Sequence, residues 1–423
     1  WAQTPLRDRL EIVRRFGSLL SERKETLART LTSEMGKPIR QSRNELTAMQ
    51  GRIDFFLEHT ERAIADELVH TSDDQPGGLV EEIRYEPLGV VANISAWNYP
   101  YFVGSNVFLP ALLTGNAVLY KPSEHATLTG LAIAELFRDA GLPDDTFIPV
   151  IGAAEAGAAL LAQDIDAVYF TGSYTTGRRI AESVASRLIR VQLELGGKDP
   201  AYVCDDVDVR AAAAAVADGA FYNAGQSCCA VERVYVHRNI ATAFTDAFLE
   251  TVRGFAVGDP TDEATYLGPL ARREQLDVLE GQVTDAVRLG ARLEMGGKRR
   301  DGRGYYFAPT VLTGVDGRMK VMREESFGPI IGIQSVADDA EAVAHMNDTE
   351  YGLTAAVYSP DRDRAERMLG QVNAGSVYWN CCDRVSPTLP WSGRKHSGIG
   401  ATLSVAGIRA FVQPKAWHLR GAC

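Results

Sequence analysis

The alternation of short apolar runs with helical segments after residue 88 constrains this chain more than any other feature. Runs at Gly89 to Ile94, Ala117 to Tyr120, Phe147 to Ile151, Ala167 to Phe170 and Arg190 to Leu195 have strand length, and helical patterns lie between them at Leu128 to Asp139, near Glu155 to Leu161, and from Tyr174. This rhythm predicts α/β architecture with a doubly wound parallel sheet and helices on both faces. A second α/β region begins near Pro200, with a strand at Ala201 to Cys204, an Ala-rich helix at Val209 to Tyr222 and a strand at Val231 to Val236. The first 68 residues read as helix, broken at Gly36-Lys37-Pro38, the second stretch running from about Gln41 to Leu68. A turn-rich break at Thr71 to Gly78 and a strand at Leu79 to Tyr85, followed by the one at Gly89 to Ile94, complete the pattern.

Composition narrows the function. A chain of 423 residues exceeds one simple core, so two or three domains are expected. With 45% hydrophobic and 23% charged residues it is an ordinary globular chain, neither disordered nor collagenous. Forty-four Lys and Arg against 55 Asp and Glu leave a net charge of −11, which argues against nucleic acid or an anionic membrane as partner. No apolar run approaches the ~20 residues of a membrane helix. Six cysteines, with adjacent pairs at Cys228-Cys229 and Cys381-Cys382, make no disulfide framework and predict a reducing, cytoplasmic setting. The chain opens on Trp1, not Met, so a preceding segment is expected, and any targeting peptide would lie in it.

Several loops carry residues suited to chemistry. In Asn223-Ala-Gly-Gln-Ser-Cys-Cys229 two thiols follow a helix on a Gly-containing loop, as a reactive cysteine requires, although a buried structural pair fits the same residues. Glu194 ends an apolar strand before Gly196-Gly197, where a partly apolar pocket would raise its pKa for general-base work; a solvated strand end is the plainer reading. In Phe170-Thr-Gly-Ser-Tyr-Thr-Thr-Gly177 a strand meets Gly172 and a helix starts at once. That geometry suits pyrophosphate at Ser173, although the spacing is GxxxxG and an ordinary turn would look alike. Asn98, in Trp97-Asn-Tyr-Pro100, could offer its amide to an oxyanion. Glu124, in Lys121-Pro-Ser-Glu124, could accept ribose hydroxyls. Glu324 to Pro329 and Pro390 to Gly398 read as structured loops. Metal binding is not indicated: the seven histidines are scattered, no CxxC or HExxH occurs, and Asp205-Asp206-Val207-Asp208 most simply caps the next helix.

Taken in order, Trp97 to Pro100, Lys121 to Glu124, Phe170 to Ser173, Glu194 to Lys198, Gly225 to Cys228, Glu325 to Pro329 and Pro390 to Gly393 resemble the serial motifs of the aldehyde dehydrogenase superfamily, in its NAD(P)-dependent, hydrolytic, non-acylating form. The likeness runs from Glu34-Met-Gly-Lys-Pro38 to the C-terminal Gly-rich segment. It implies Cys228 as catalytic thiol with Cys229 a neighbour, Glu194 as general base, and Asn98 as oxyanion donor beside the Cys228 N–H. It implies cofactor contacts at Lys121, Glu124, Gly172, Ser173, Glu325 and Phe327, with Ile94, Trp97, Gly157 and Leu195 lining the cofactor. NAD is favoured because Glu124 repels a 2′-phosphate, with NADP possible because Lys121 offsets that. The implied organisation is a Rossmann-like dinucleotide domain (1–68 and 88–196), an α/β catalytic domain (197–405) and a small β oligomerisation arm (69–87 and 406–423) in a homodimer or homotetramer.

The implied reaction is oxidation of a small aldehyde to its acid through a thiohemiacetal and a thioester, hydrolysed by a Glu194-activated water. Tyr99, Asn106, Arg384 and Trp391 are expected along the substrate tunnel. Asn106 stands where many relatives carry a bulky aromatic. Arg384 or Asn106 would favour a polar or anionic aldehyde, whereas Tyr99 and Trp391 alone would give a broad apolar tunnel. Two alternatives remain at this stage: a non-catalytic NAD-binding or structural protein of the same fold, and a cofactor-independent thiol esterase. Ser392 and His396 depart from the usual Gly-rich segment, which bears on the position of that loop.

Overall fold

A computed structural model describes residues 1–74 and 78–421. Three helices open the chain: α1 (Leu6–Glu22), α2 (Lys24–Met35) and α3 (Ile39–Ala63). The sequence reading had one break in this region. A second falls at Arg23, and α3 stops at Ala63, ahead of Leu68. Gly36 adopts a left-handed φ of 80° and ends α2, the common role of glycine past a helix C-terminus. Strands β1 (Glu67–Ser72) and β2 (Leu79–Pro87) follow; the expected turn from Thr71 to Gly78 begins inside β1, and its residues 75–77 lie outside the described set.

The first large sheet is built from β3 (Val90–Ile94), β4 (Ala117–Lys121), β5 (Phe147–Pro149), β6 (Ala167–Thr171) and β7 (Arg190–Glu194). They run parallel in the order β7-β6-β3-β4-β5. The strand at Leu79 does not pair with the one at Val90. It joins β1 in a separate antiparallel sheet instead. Helices α4 (Pro100–Leu113), α5 (Thr127–Asp139), α6 (Ala154–Leu161) and α7 (Tyr174–Val184) connect the strands of the large sheet. The core on one side packs Phe16 against Phe137 at 4.1 Å, with Phe108 edge-on to both. Each such buried ring is worth about 2–3 kcal/mol.

The second large sheet combines β8 (Asp199–Val203), β9 (Val231–His237), β10 (Arg292–Met295), β11 (Thr310–Thr313), β12 (Ile330–Val336), and further on β14 (Thr354–Tyr358) and β15 (Ser376–Trp379). Its order is β10-β11-β12-β9-β8-β14-β15, parallel except for β10. The short β13 (Tyr351–Gly352) pairs with β16 (Arg394–Lys395). Helix α8 (Val209–Phe221) leads into the thiol loop, and Asp208 caps it by accepting from the N–H of Ala211 at 3.0 Å, as its sequence suggested. Two strands return late in the chain. The two-residue β17 (Gly398–Ile399) pairs antiparallel with β7 at Glu194 and Leu193, and β18 (Val412–Arg420) pairs with β2 along nine positions. Among the described residues no helix is long and apolar enough to cross a membrane.

Candidate functional site

The thiol loop begins where α8 ends. Asn223 and Ala224 take left-handed φ angles of 53° and 55°, and Gly225 follows at 70°. A side chain at Gly225 would strike the carbonyl of Gly328, so only glycine fits this exit. The turn is fixed by amides. Asn223 Nδ2 donates to the carbonyls of Asn98 (3.3 Å) and Gln226 (3.1 Å), and Gln226 Oε1 accepts from the N–H of Ala271 at 3.0 Å. The two thiols then part. Cys229 is buried and donates to Asp383 at 3.0 Å; hydrogen bonding with Cys228, burial and the Asp383 charge all hold its pKa well above the ordinary thiol value. Cys228 is half-buried.

Asn98 lies just before α4, with its Nδ2 donating to the carbonyl of Gln226 at 3.2 Å. One of its two amide hydrogens is thereby used and the side chain is oriented. Helix α4 was not expected from the sequence. It holds Pro110 internally and is buried nearly all round, so it shows no polar stripe. Its N-terminus is held by Glu45 of α3, which accepts from the N–H groups of Tyr101 (3.0 Å) and Phe102 (3.4 Å) and pairs with buried Lys37. The Lys37 ammonium lies 3.7 Å from the centre of the Tyr99 ring.

Glu194 ends β7 and is 4% exposed. Burial lifts its pKa to about 7, against the lowering effect of donors from Thr402 and Gln192 (3.2 Å) and the charge of Arg52. Thr402 reaches it because β17 folds the C-terminal segment back onto β7.

Two cavities meet here. One, of about 460 Å³, is lined by Arg52, Tyr99, Asn106, Asp383, Arg384 and Trp391, among others. The other, of about 300 Å³, is lined by Trp97, Gly172, Ser173, Leu195, Glu325 and Phe327, among others. Asn98, Glu194 and Cys228 are the three residues that line both. All four expected tunnel residues therefore fall in the first cavity, although Arg384 is largely exposed.

The second cavity suits a dinucleotide. Ser173 caps α7, accepting from the N–H of Thr176 at 3.4 Å, so the positive end of that helix opens at the cavity wall. Any side chain at Gly196 would collide with Glu325, and one at Gly177 with Leu195, so both positions keep the close packing behind this cavity only as glycine. Trp97 and Phe327 meet edge-on at 5.5 Å. Glu325 accepts from the N–H of Gly197 at 3.2 Å, and burial beside Glu232 raises its pKa. Phe327 is held at a strained φ of 46° by Glu232, which accepts from its N–H at 2.9 Å. Outside the cavity, Lys121 and Glu124 approach to 3.9 Å just past β4. Gly157 faces the Lys121 stem, and Ile94 is buried at the end of β3.

Sequence reasoning missed Arg52, Lys37, Glu45, Gln192, Thr402 and Glu232. Lys37 stood within a quoted motif. The others carried no local signal, because their roles depend on which elements pack together. Among the described residues no three His, Cys, Asp or Glu side chains form a group that could hold a metal ion.

A family model described as the aldehyde dehydrogenase family matches residues 1–417. Betaine aldehyde dehydrogenase of Brucella anthropi is 36% identical over 420 residues, covering 98% of this chain and 85% of the relative. The crystal structure of an NAD-dependent aldehyde dehydrogenase from Sinorhizobium meliloti superposes with a TM-score of 0.95 at 34% identity, over 99% of this chain and 83% of that one. An NADP dependent enzyme of E. coli gives a TM-score of 0.95 at 32% identity, over 99% and 87%. With one family matched along almost its whole length, the chain belongs to the aldehyde dehydrogenases.

Proposed function

We propose that this chain oxidises an aldehyde to its carboxylic acid through a thioester on Cys228, with NAD as the hydride acceptor. The observation that carries this is the meeting of the two cavities at Asn98, Glu194 and Cys228 and at no other described residue. An aldehyde in the first cavity and a nicotinamide in the second would face each other across the thiol.

Cys228 attacks the carbonyl carbon as a thiolate. The alkoxide that develops is met by the second amide hydrogen of Asn98 and the backbone N–H of Cys228. Donors set in place beforehand are each commonly worth ~3–4 kcal/mol of barrier. Cys229 is a poor rival, since its thiol is committed to Asp383. When bound, the dinucleotide supplies the hydride acceptor that turns the thiohemiacetal into a thioester. Glu194, close to half-ionised at neutral pH, then takes a proton from water, and the hydroxide releases the acid from Cys228. Ser173, Lys121 and Glu124 support NAD binding, and the carboxylate of Glu124 disfavours the 2′-phosphate of NADP, with Lys121 offsetting part of that. In the same proposal the two large sheets form the dinucleotide (1–68, 88–196) and catalytic (197–405) domains. The sheet of β1, β2 and β18 is the arm of a homo-oligomer.

Rapid mixing of enzyme, NAD and aldehyde tests the proposal. NADH should form with equal amounts of acid, and mass spectrometry of quenched enzyme should find the acyl group on the Cys228 peptide. Acid formation without NAD, or an acyl group on Cys229, would overturn it. A second reading concerns the substrate. The relatives' name points to a cationic aldehyde, and Asp218, Tyr222, Asp383 and Trp391 all line the first cavity.

A further inference from the structure

Resting on that reading of the reaction, we propose that the first cavity selects aldehydes carrying a carboxylate, and that Arg52 with Asn106 is the anchor that binds it. Arg52 projects from α3 and is 4% exposed. Burial lowers its pKa to about 10, so it stays cationic at neutral pH. Its bonds come from Nη1 alone, to the carbonyl of Phe102 (3.1 Å) and Oδ1 of Asn106 (2.6 Å). Both partners are neutral oxygens, and no carboxylate of the described residues lies within 4.0 Å of the guanidinium. Nε and Nη2 are bonded to none of the described residues, and neither is sealed away from the cavity. A buried cation normally has a counter-ion. Here no carboxylate makes a direct ion pair with it, although the charges of Glu194 and Glu45 act on it and its guanidinium lies 4.0 Å over the Phe102 ring, and the vacant donors form the fork that grips a carboxylate at two points. Asn106 strengthens the site. Its Oδ1 is fixed by Arg52, which leaves its N–H₂ as a further donor to the same guest.

The acidic groups of the cavity are already occupied. Glu45 is saturated by Lys37 and two backbone N–H groups. Asp383 accepts from Ser227 (3.2 Å) and Cys229 (3.0 Å), and burial lifts its pKa to about 6. Asp218 accepts from the Tyr266 hydroxyl at 2.6 Å. Glu194 is close to half-protonated at neutral pH, so it does not fully offset Arg52. The acidic side chains thus have hydrogen-bond partners already, and the cationic donors left open in the cavity are those of Arg52; the Arg384 guanidinium turns back to the carbonyl of Asp383 at 3.3 Å.

The test compares kcat/KM for 4-oxobutanoate and 5-oxopentanoate with that for their methyl esters and for betaine aldehyde, in wild type, Arg52→Gln and Arg52→Lys. The better oxo acid should exceed its ester by about tenfold to hundredfold, the range of a charge-assisted bidentate contact. Arg52→Gln should bring the acid-to-ester ratio close to one, mainly through KM for the acid, with Arg52→Lys between. A wild-type ratio near one, a ratio unmoved by Arg52→Gln, or betaine aldehyde as the best substrate would each overturn the proposal. If Arg52→Gln does not fold, the wild-type comparison decides alone. Failure of every aldehyde to yield NADH would instead overturn the reaction on which this rests.

Discussion

Glu194→Gln should make this protein more stable and leave it unable to complete turnover. Burial raises the carboxyl from its ordinary 4.5 to about 7 in the fold. At about 1.4 kcal/mol per pKa unit this is on the order of 3 kcal/mol. The sign follows from which form the fold prefers. Because the folded pKa lies above the unfolded one, the neutral acid is favoured, and the benefit is full below about pH 4.5. It fades as pH rises, and above about pH 7 the charged carboxylate weakens the fold by the whole amount. Glutamine carries no charge at any of these values and retains an oxygen for Thr402 and Gln192. Unfolding of 423 residues at ~2.1 cal/mol/K each has an entropy near 0.9 kcal/mol/K, so the variant should melt ~3–4 °C higher at pH 8.5 and no higher at pH 4.5. Scanning calorimetry at one fixed rate measures this, since large chains often unfold irreversibly. In the same variant, NADH should appear as one burst per site, with the acyl group left on Cys228. A melting shift independent of pH, or steady release of acid, would refute the link between the burial of Glu194 and its work on water.

Replacing the thiols separates their roles: Cys228→Ser should cut NADH formation by at least about a thousandfold, whereas Cys229→Ser, which keeps a donor for Asp383, should stay within about tenfold of wild type. The reverse pattern in the same assay would transfer the nucleophile to Cys229. Thr402→Val removes a donor that lowers the Glu194 pKa, so the rising limb of the kcat–pH profile should move about one unit above its wild-type midpoint near 7; an unmoved limb would mean that Thr402 does not tune the base. Lys37→Met leaves Glu45 buried without its cation, a loss of about 3–5 kcal/mol, read as a melting temperature lower by about 3–6 °C at neutral pH. A change within one degree would show that the backbone N–H groups alone satisfy Glu45.

The parallel sheet and most of its strands were legible because each is a short apolar run with a turn on either side. Cys228, Glu194 and Asn98, the described residues that both cavities share, could be singled out in the sequence because family motifs preserve short spacings. Helix α4 could not. It lies between α3 and the first sheet and is apolar on every face, so there was no periodicity to read. Arg52 stands on an amphipathic helix and is buried because α4 packs over it, a contact that its local sequence does not carry. Thr402 and Glu194 are joined by a two-residue strand, too short for an alternating pattern. The resemblance already favoured Cys228 over Cys229; what it did not carry is the contact of Cys229 with Asp383, which comes from a loop 154 residues further along the chain.

The same device recurs at two places where the backbone leaves regular structure beside the site. Glu45 accepts two N–H groups at the start of α4, just past Asn98, with Lys37 as its cation. Glu232 accepts the N–H groups of Ser326 (2.8 Å) and Phe327 (2.9 Å), with Lys198 at 2.6 Å as its cation. A buried ion pair is weak evidence of stability in itself, since apolar residues of equal volume often do as well. In both cases here the carboxylate also satisfies donors that no helix or sheet can reach, and an orphaned buried N–H costs about 1–3 kcal/mol. An apolar pair could fill the volume but would leave two such donors unmet in the segment that sets Asn98, or in the one that sets Phe327. The positions of Asn98, the proposed oxyanion donor, and of Phe327 in the second cavity are thus specified by buried charge more than by packing, so hydrophobic replacement of either pair should loosen the site even where the core tolerates it.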